Sequence, residues 1–140
     1  MSLTISQTDD IGACLALRRT VFIEEQNVPE DLEVDGLDEG ALHILARDGS
    51  QPVGAARLLL KGHVAKIGRV CVLKQYRGTG AGQALIRCAL DVAKAQNGVT
   101  LAQLGAQTHA LGFYESLGFK PFGPVYDEAG IPHRDMERAL

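Results

Sequence analysis

The sequence predicts an α+β fold: a single domain whose mixed, mostly antiparallel sheet is flanked by helices. Two observations lead to this prediction. Short apolar segments separated by turn residues occupy the middle of the chain, a pattern typical of an antiparallel meander. A glycine-rich loop at residues 78–82 then joins one such segment to a segment with helical periodicity. The 140 residues match one ordinary domain, so we expect residues 1–140 to form a single domain.

The N-terminal half of the chain predicts one helix and four strands. Residues 3–7 alternate weakly and predict the first strand. Thr8 or Asp9 can cap the helix that follows, whose apolar face consists of Ile11, Cys14, Leu15, Val21 and Phe22. A loop or short helix is expected next. Three strands then complete the meander, at residues 42–47, 52–60 and 64–73.

The C-terminal half predicts two helices and three strands. The helix after the glycine loop ends near Asn97–Gly98, and its apolar stripe consists of Leu85, Ile86, Ala89, Leu90 and Ala93. A strand at residues 99–107 leads to Thr108, which can cap a short helix that Gly118 ends. A closing hairpin is predicted from two strands, at residues 119–126 and 131–140.

Composition excludes several classes of protein. Cys14, Cys71 and Cys88 lie far apart in apolar periodic segments, with no spacing to histidine that suits a metal, so we predict buried reduced thiols, a cytoplasmic location and no metal site. The net charge of −3 argues against a nucleic-acid partner. No apolar run reaches membrane-spanning length, so no membrane partner is expected. The residues do not predict an oligomeric state, and a homodimer is kept as one assembly to consider.

The negative charge is concentrated in one segment. Residues 20–46 contain no Lys or Arg, but they contain eight acids: Glu24, Glu25, Glu30, Asp31, Glu33, Asp35, Asp38 and Glu39. Two interpretations remain open. The segment is either a solvated acidic surface or the border of an entrance that attracts cationic substrates.

The glycine-rich loop predicts a phosphate-binding site. A nucleotide P-loop requires Lys and Ser or Thr after its second glycine, whereas Ala81 and Gly82 follow Gly80. A dinucleotide fingerprint requires a third glycine, where this chain has Gln83, and an acid at the end of the next strand, which is missing. Kinase and oxidoreductase functions are therefore disfavoured. The remaining interpretation is a diphosphate held by backbone N–H groups at a helix N-terminus.

Two motifs carry a resemblance to a known family. Residues 75–81 (QYRGTGA) resemble the acetyl-coenzyme A motif Q/R-x-x-G-x-G/A of the GNAT acetyltransferase superfamily. Residues 107–119 (QTHALGFYESLGF) resemble its downstream segment, with Gln107 in place of the usual Asn. Three further stretches, VFIEEQNVPEDLEVDGLD, IGRVCV and GIPHRDM, resemble the ElaA-like subgroup of small bacterial members. The resemblance covers nearly the whole chain and implies a GNAT-type fold.

The resemblance also implies an activity, a co-substrate and the residues that bind it. The activity is transfer of an acetyl group from acetyl-coenzyme A to a primary amine of a small molecule or peptide, by direct attack on the thioester. Main-chain groups of the strand through Val70, Cys71 and Val72 would pair with the pantetheine arm. The pyrophosphate and an amide of the co-substrate would be bound by Arg77, Gly78, Thr79, Gly80, Ala81 and Gln107. An acetyl-coenzyme A sensor without turnover is the alternative function.

Tyr114 resembles the general acid of the family. A tyrosine hydroxyl with a pKa of about 10 is protonated at neutral pH and can donate a proton to a departing thiolate. The attacking amine must in turn lose a proton. The sequence does not choose among five candidate bases and water, the candidates being His43, Glu25, Asp35, His109 and His133.

Overall fold

The computed structural model describes residues 2–140, which form one seven-stranded sheet with helices on both faces. The strands are β1 (Leu3–Thr8), β2 (Leu42–Asp48), β3 (Gln51–Lys61), β4 (Val64–Val72), β5 (Leu101–Gln107), β6 (Lys120–Glu128) and β7 (Ile131–Ala139). The helices are α1 (Ile11–Arg18), α2 (Glu30–Glu33), α3 (Ala81–Lys94) and α4 (Leu111–Glu115). The predicted α+β fold agrees with this architecture.

The order of the strands in the sheet is β1-β2-β3-β4-β5-β7-β6. Every neighbouring pair is antiparallel except β4 and β5, which run parallel because α3 crosses between them. The sheet is therefore mixed and mostly antiparallel, as the sequence predicts. The parallel pair in its centre is the feature that positions the candidate site.

Side-chain alternation along the strands builds a core on each face of the sheet. Ile44 and Ala46 of β2 face α3, whereas Leu45 between them faces α1 together with Ala55 and Cys71. The α3 stripe predicted from the sequence is buried as expected: Leu85, Ile86, Ala89, Leu90 and Ala93. These aliphatic side chains share one core with Ala65 and Ile67 of β4.

Several local predictions are wrong. The cap of α1 is Asp10, whose Oδ1 accepts from the Ala13 N–H at 3.1 Å, while Thr8 accepts from the Asp10 N–H. The helix does not continue regularly through Phe22, because residues 19–25 form a wider π-helical turn. Thr108 begins a 3₁₀ turn, and α4 has no side-chain cap from residues 2–140.

Two further details also differ from prediction. The helix α3 ends at Lys94, three residues before Asn97, and a turn leads on to Gly98, whose φ is 78°. Cys14 and Cys71 are buried free thiols, but Cys88 is only half-buried. None of the helices within residues 2–140 is long and apolar enough to span a bilayer.

Candidate functional site

A groove opens where two parallel strands separate. β4 and β5 pair only from Val64–Leu101 to Ile67–Leu104, although β4 continues to Val72 and β5 to Gln107. Backbone groups of β4 beyond Ile67 thus lack a neighbouring strand on this side within the described chain. The groove has a volume of about 660 Å³, and Val70, Cys71 and Val72 line it. An exposed edge of this kind can accept an extended ligand by main-chain hydrogen bonds.

A β-bulge explains why the strands separate. Ala55 pairs with Cys71 and Arg57 with Gly68, so β4 has an extra residue in this stretch. Arg69 within it has a φ of 49°, a left-handed conformation that is uncommon for a residue with a side chain. A bulge bends the strand that contains it and increases its twist, and here it turns the end of β4 away from β5.

The glycine loop forms a second, smaller cavity at the start of α3. Gly78 and Gly80 have φ values of 78° and 89°, and within residues 2–140 no atom lies within 4 Å of a Cβ built on either. No side chain of the described residues caps α3, so the first N–H groups of the helix remain free for a ligand. The cavity has a volume of about 430 Å³ and is lined by Val72, Arg77, Gly78, Gly80, Gly82, Gln83 and Phe113.

Thr79 and Ala81 have structural positions in this loop. The Thr79 hydroxyl donates to the Tyr76 carbonyl oxygen at 2.5 Å, which closes the turn before α3. The Ala81 side chain is buried at the first position of the helix. Only their backbone N–H groups are therefore suited to contact a phosphate.

Arg77 does not present a free cation to this cavity. Its two terminal nitrogens donate to the two carboxylate oxygens of Glu25, both at 2.6 Å, and its Nε donates to the Val72 carbonyl oxygen at 3.0 Å. The hydrogen bond from Arg77 lowers the pKa of Glu25 below its ordinary value. Because both side chains are partly exposed, the ion pair contributes little to the free energy of folding. Another anion can therefore replace Glu25 as the partner of Arg77.

Tyr114 and Gln107 lie along the wall of the groove. The Tyr114 ring packs edge-to-face against Phe113 and Phe119, with centroids 5.0 and 6.0 Å away. Burial raises the pKa of Tyr114 to about 12, so its hydroxyl is protonated over the whole physiological range. The Gln107 amide donates to Gln26 Oε1 at 3.1 Å, a contact that joins β5 to the segment after the π-helical turn.

The structure separates the five candidate bases into two groups. Asp35, His109 and His133 line the groove, and Glu25 and His43 do not. His43 is buried, with Nε2 2.9 Å from the Asp38 carbonyl oxygen. Hydrogen bonds from Arg57 hold the pKa of Asp35 far below its ordinary value, which makes this carboxylate a poor proton acceptor.

The acidic segment is mostly compensated by arginines from elsewhere in the chain. Arg18 binds Glu33 at 2.5 Å and Asp38 at 2.7 Å, and Arg57 binds Asp35 at 2.8 Å. Glu25 and Glu30 pair with Arg77 and Arg19. The interpretation as a solvated acidic surface is therefore wrong for Glu33, Asp35 and Asp38, whereas Glu25 and Glu30 form their ion pairs at the surface. Among residues 2–140, only Glu24, Asp31 and Glu39 of the eight have no ion pair, which weakens the basis for attracting cations.

Sequence reasoning missed two arginines that border the groove. Arg57 is 4% exposed, and the guanidinium of Arg69 donates to the carbonyl oxygens of Leu32 and Glu33. Each is an arginine between apolar or small neighbours in a strand, a pattern that indicates a buried ion pair. Within residues 2–140, no group of three or more His, Cys, Asp or Glu side chains is placed to hold a metal ion.

Comparisons with known proteins agree with this architecture. The family model of the acetyltransferase (GNAT) domain matches residues 8–140. The chain is 40% identical to the uncharacterized N-acetyltransferase YjcF of Bacillus subtilis, over 86% of each chain. It is 39% identical to the protein ElaA of Escherichia coli, over 99% of this chain and 91% of ElaA.

Solved structures match over almost the full length as well. The crystal structure of Escherichia coli ElaA has a TM-score of 0.83 at 34% identity and covers 98% of both chains. An acyl-CoA N-acyltransferase from Pseudomonas aeruginosa has a TM-score of 0.85 at 34% identity and covers 99% of both chains. Together with the family match, these similarities show that the chain belongs to the GNAT acetyltransferase family, in its ElaA-like subgroup.

Proposed function

We propose that this protein transfers an acetyl group from acetyl-coenzyme A to a primary amine by direct attack on the thioester. The observation that carries the proposal is one continuous path. The unpaired edge of β4 leads to the open N-terminus of α3, and Tyr114 lies along the same groove. The family relationship supports acyl transfer in general, and this path supports a coenzyme A thioester as the donor.

The residues present fit coenzyme A. An extended pantetheine arm can pair with backbone groups of Val70, Cys71 and Val72 where β5 no longer does. A pyrophosphate can approach the N–H groups at Gly78, Thr79, Gly80 and Ala81, because the two glycines leave open space and the helix dipole favours an anion there. The Gln107 amide faces the same groove.

Tyr114 and the backbone of β4 supply the chemistry. N–H groups of the bulged strand can stabilise the oxyanion that forms when an amine attacks the thioester carbonyl. Tyr114 then donates its proton to the departing sulfur, since its raised pKa keeps the hydroxyl protonated until the carbon–sulfur bond breaks. We further propose a cytoplasmic location, for which the three free cysteines are the support.

Two measurements test this function against its alternatives. Acetyl-coenzyme A should raise the unfolding temperature, whereas ATP and NAD should not, because the loop lacks their recognition residues. Thiol release with a panel of primary amines then separates an enzyme from a sensor. Stabilisation by acetyl-coenzyme A without thiol release for any amine would favour the sensor.

The variant Gly80→Asp should lower the affinity for coenzyme A at least tenfold, about 1.4 kcal/mol. The added carboxylate would occupy the open space above the helix N-terminus and repel the pyrophosphate. Gly98→Asp is the matched control, because Gly98 has a similar φ of 78° and equally open surroundings but lies at the other end of α3. Calorimetric titration with coenzyme A measures the affinity of both variants. Equal affinities for the two variants would contradict a phosphate site at Gly80.

The variant Glu25→Gln should raise the affinity for coenzyme A several-fold. The substitution removes the Glu25 carboxylate, the anion that pairs with Arg77, so the guanidinium becomes available to a phosphate. Glu30→Gln, which releases the exposed Arg19 instead, is the control. The gain should also increase as the salt concentration falls. An unchanged affinity in calorimetry would mean that Arg77 does not contact the phosphates.

A further inference from the structure

We propose that Nε2 of His133 is the general base, accepting the proton that the amine loses as it attacks. This inference rests on the proposed acetyl transfer and specifies one residue that the sequence left undecided. It depends on three features of the described structure. These are the fixed tautomer of the ring, its position in the same groove as Tyr114, and its path to solvent.

A backbone carbonyl fixes the tautomer of His133. Nδ1 lies 2.7 Å from the Ile131 carbonyl oxygen, which can only accept a hydrogen bond. The Nδ1 atom therefore carries the N–H, and in the neutral ring the lone pair is on Nε2. Tyr126 stacks on the ring at 5.8 Å, and its own hydroxyl donates to Asp135 at 2.8 Å. The imidazole is thus oriented by its own strand and by β6.

The fold places His133 next to the point where β5 ends. In the antiparallel register His133 pairs with Gln107, the last residue of β5, from which the chain continues into the helix of Tyr114. His133 and Tyr114 both line the groove. The groove therefore presents a proton donor and a proton acceptor, as addition of an amine and loss of a thiolate require.

A carboxylate connects the base to water. Glu128 Oε2 lies 3.6 Å from Nε2 of His133, and the Glu128 side chain is 61% exposed. The imidazolium formed after proton transfer would face this anion, which stabilises it, while His133 itself is only 8% exposed. Solvent at Glu128 can then take the proton away.

The other candidate bases are less suitable. Asp35 is held by Arg57 and Arg69, and Glu25 and His43 lie outside the groove. His109 lines the groove but is exposed on the 3₁₀ turn before α4. His109 is therefore the rival that the experiment must exclude.

Protons and electrons balance when His133 and Tyr114 act in the same transfer. The amine nitrogen forms a bond to the carbonyl carbon and becomes positively charged, and His133 Nε2 removes one of its protons. The carbon–sulfur bond breaks, its electron pair leaves with sulfur, and the Tyr114 hydroxyl gives sulfur a proton. The imidazolium then returns its proton to the Tyr114 phenolate through solvent. The net change is amine plus thioester to amide plus thiol.

The charged and titratable groups around the ring set the expected pH dependence. They are Tyr126 and Glu128 on β6 and Asp135 on β7, while β5 contributes the neutral Gln107. An imidazole is protonated below roughly pH 6.5 and cannot then act as a base. The catalytic advantage of His133 should therefore be largest where the ring is neutral and shrink as acid protonates Nε2.

The test compares kcat/KM of the wild type with that of His133→Asn from pH 5 to 9, using the fastest amine in the thiol-release panel. Asn retains a donor for the Ile131 carbonyl but lacks the basic nitrogen. We expect a loss of about a hundredfold or more at the alkaline end of this range that shrinks towards unity at its acidic end. The ratio cancels titration of the amine, which is the same for both proteins. The control is His63→Asn, in the exposed turn between β3 and β4, with no expected change.

Further measurements distinguish a catalytic base from a structural role of His133. Added imidazole should restore activity to His133→Ala, because it can occupy the space that the ring leaves, whereas a purely structural role would not be rescued. A pH-independent ratio near one, or a hundredfold loss in His109→Asn with none in His133→Asn, would overturn the inference while leaving acetyl transfer intact. If no amine is acetylated, the proposed function fails and the base role fails with it. Independently of activity, an Nε2–H tautomer in nitrogen NMR of the His133 ring would overturn the inference alone.

Discussion

Tyr114→Phe should lower kcat about a hundredfold and leave the affinity for coenzyme A nearly unchanged. The hydroxyl acts only when the carbon–sulfur bond breaks, so its contribution belongs to the transition state. The ring itself remains between Phe113 and Phe119, and the helix α4 should therefore keep its packing. Steady-state kinetics with a reactive amine, together with calorimetric titration of coenzyme A, measure both quantities.

Tyr76→Phe is the matched control for this variant. The Tyr76 hydroxyl donates to Asp48 at 2.8 Å, outside the groove, and its loss should leave kcat unchanged. Because the pKa of Tyr114 is raised to about 12, the wild-type enzyme should show no loss of kcat from tyrosine ionisation up to pH 10. An unchanged kcat in Tyr114→Phe, with chemistry rate-limiting, would assign protonation of the thiolate to water or another residue.

Arg18→Met should reduce the free energy of unfolding by about 3–5 kcal/mol. Arg18 is 1% exposed and binds Glu33, which is 4% exposed, as well as Asp38. Its removal would leave the buried Glu33 carboxylate with only Arg69, whose Nε lies 3.6 Å from Glu33 Oε1, and poorly compensated buried charge of this kind is strongly destabilising. Arg57 would still neutralise Asp38.

The neighbouring arginine provides the control. Arg19 pairs with Glu30 on the surface, where both side chains are more than half exposed, and Arg19→Met should cost less than 1 kcal/mol. Urea unfolding of the three proteins measures the difference. Equal free energies of unfolding for the two variants would contradict this prediction. The buried ion pairs of Arg18 would then stabilise the segment between α1 and β2 no more than the surface pair of Arg19 does.

Local sequence signals predicted the sheet and the main helix well. Alternation of apolar residues places the strands within one or two residues, because side chains on successive positions of a strand point to opposite faces. The glycines of the loop were assigned correctly to a strand-to-helix turn, since left-handed backbone is required at Gly78 and Gly80. Both features depend only on residues that are close in sequence.

The features that the sequence did not reveal depend on contacts between distant residues. The ion pair of Arg77 is one of them, because Glu25, its partner, lies 52 positions earlier. The sequence left two interpretations of the acidic segment open, because the arginines that pair with Glu33, Asp38 and Asp35 come from α1, β3 and β4. The choice among bases required the carbonyl of Ile131, which fixes the tautomer of His133, and no residue pattern reports that bond.

The most direct test of the account is the product of the reaction. Wild-type protein, acetyl-coenzyme A and a panel of primary amines are incubated at pH 8, and mass spectrometry quantifies N-acetylated amine while a thiol reagent quantifies free coenzyme A. The account predicts one amide per thiol for at least one amine, at a rate that Tyr114→Phe reduces about a hundredfold. Coenzyme A binding with no amide formed from any amine would contradict it.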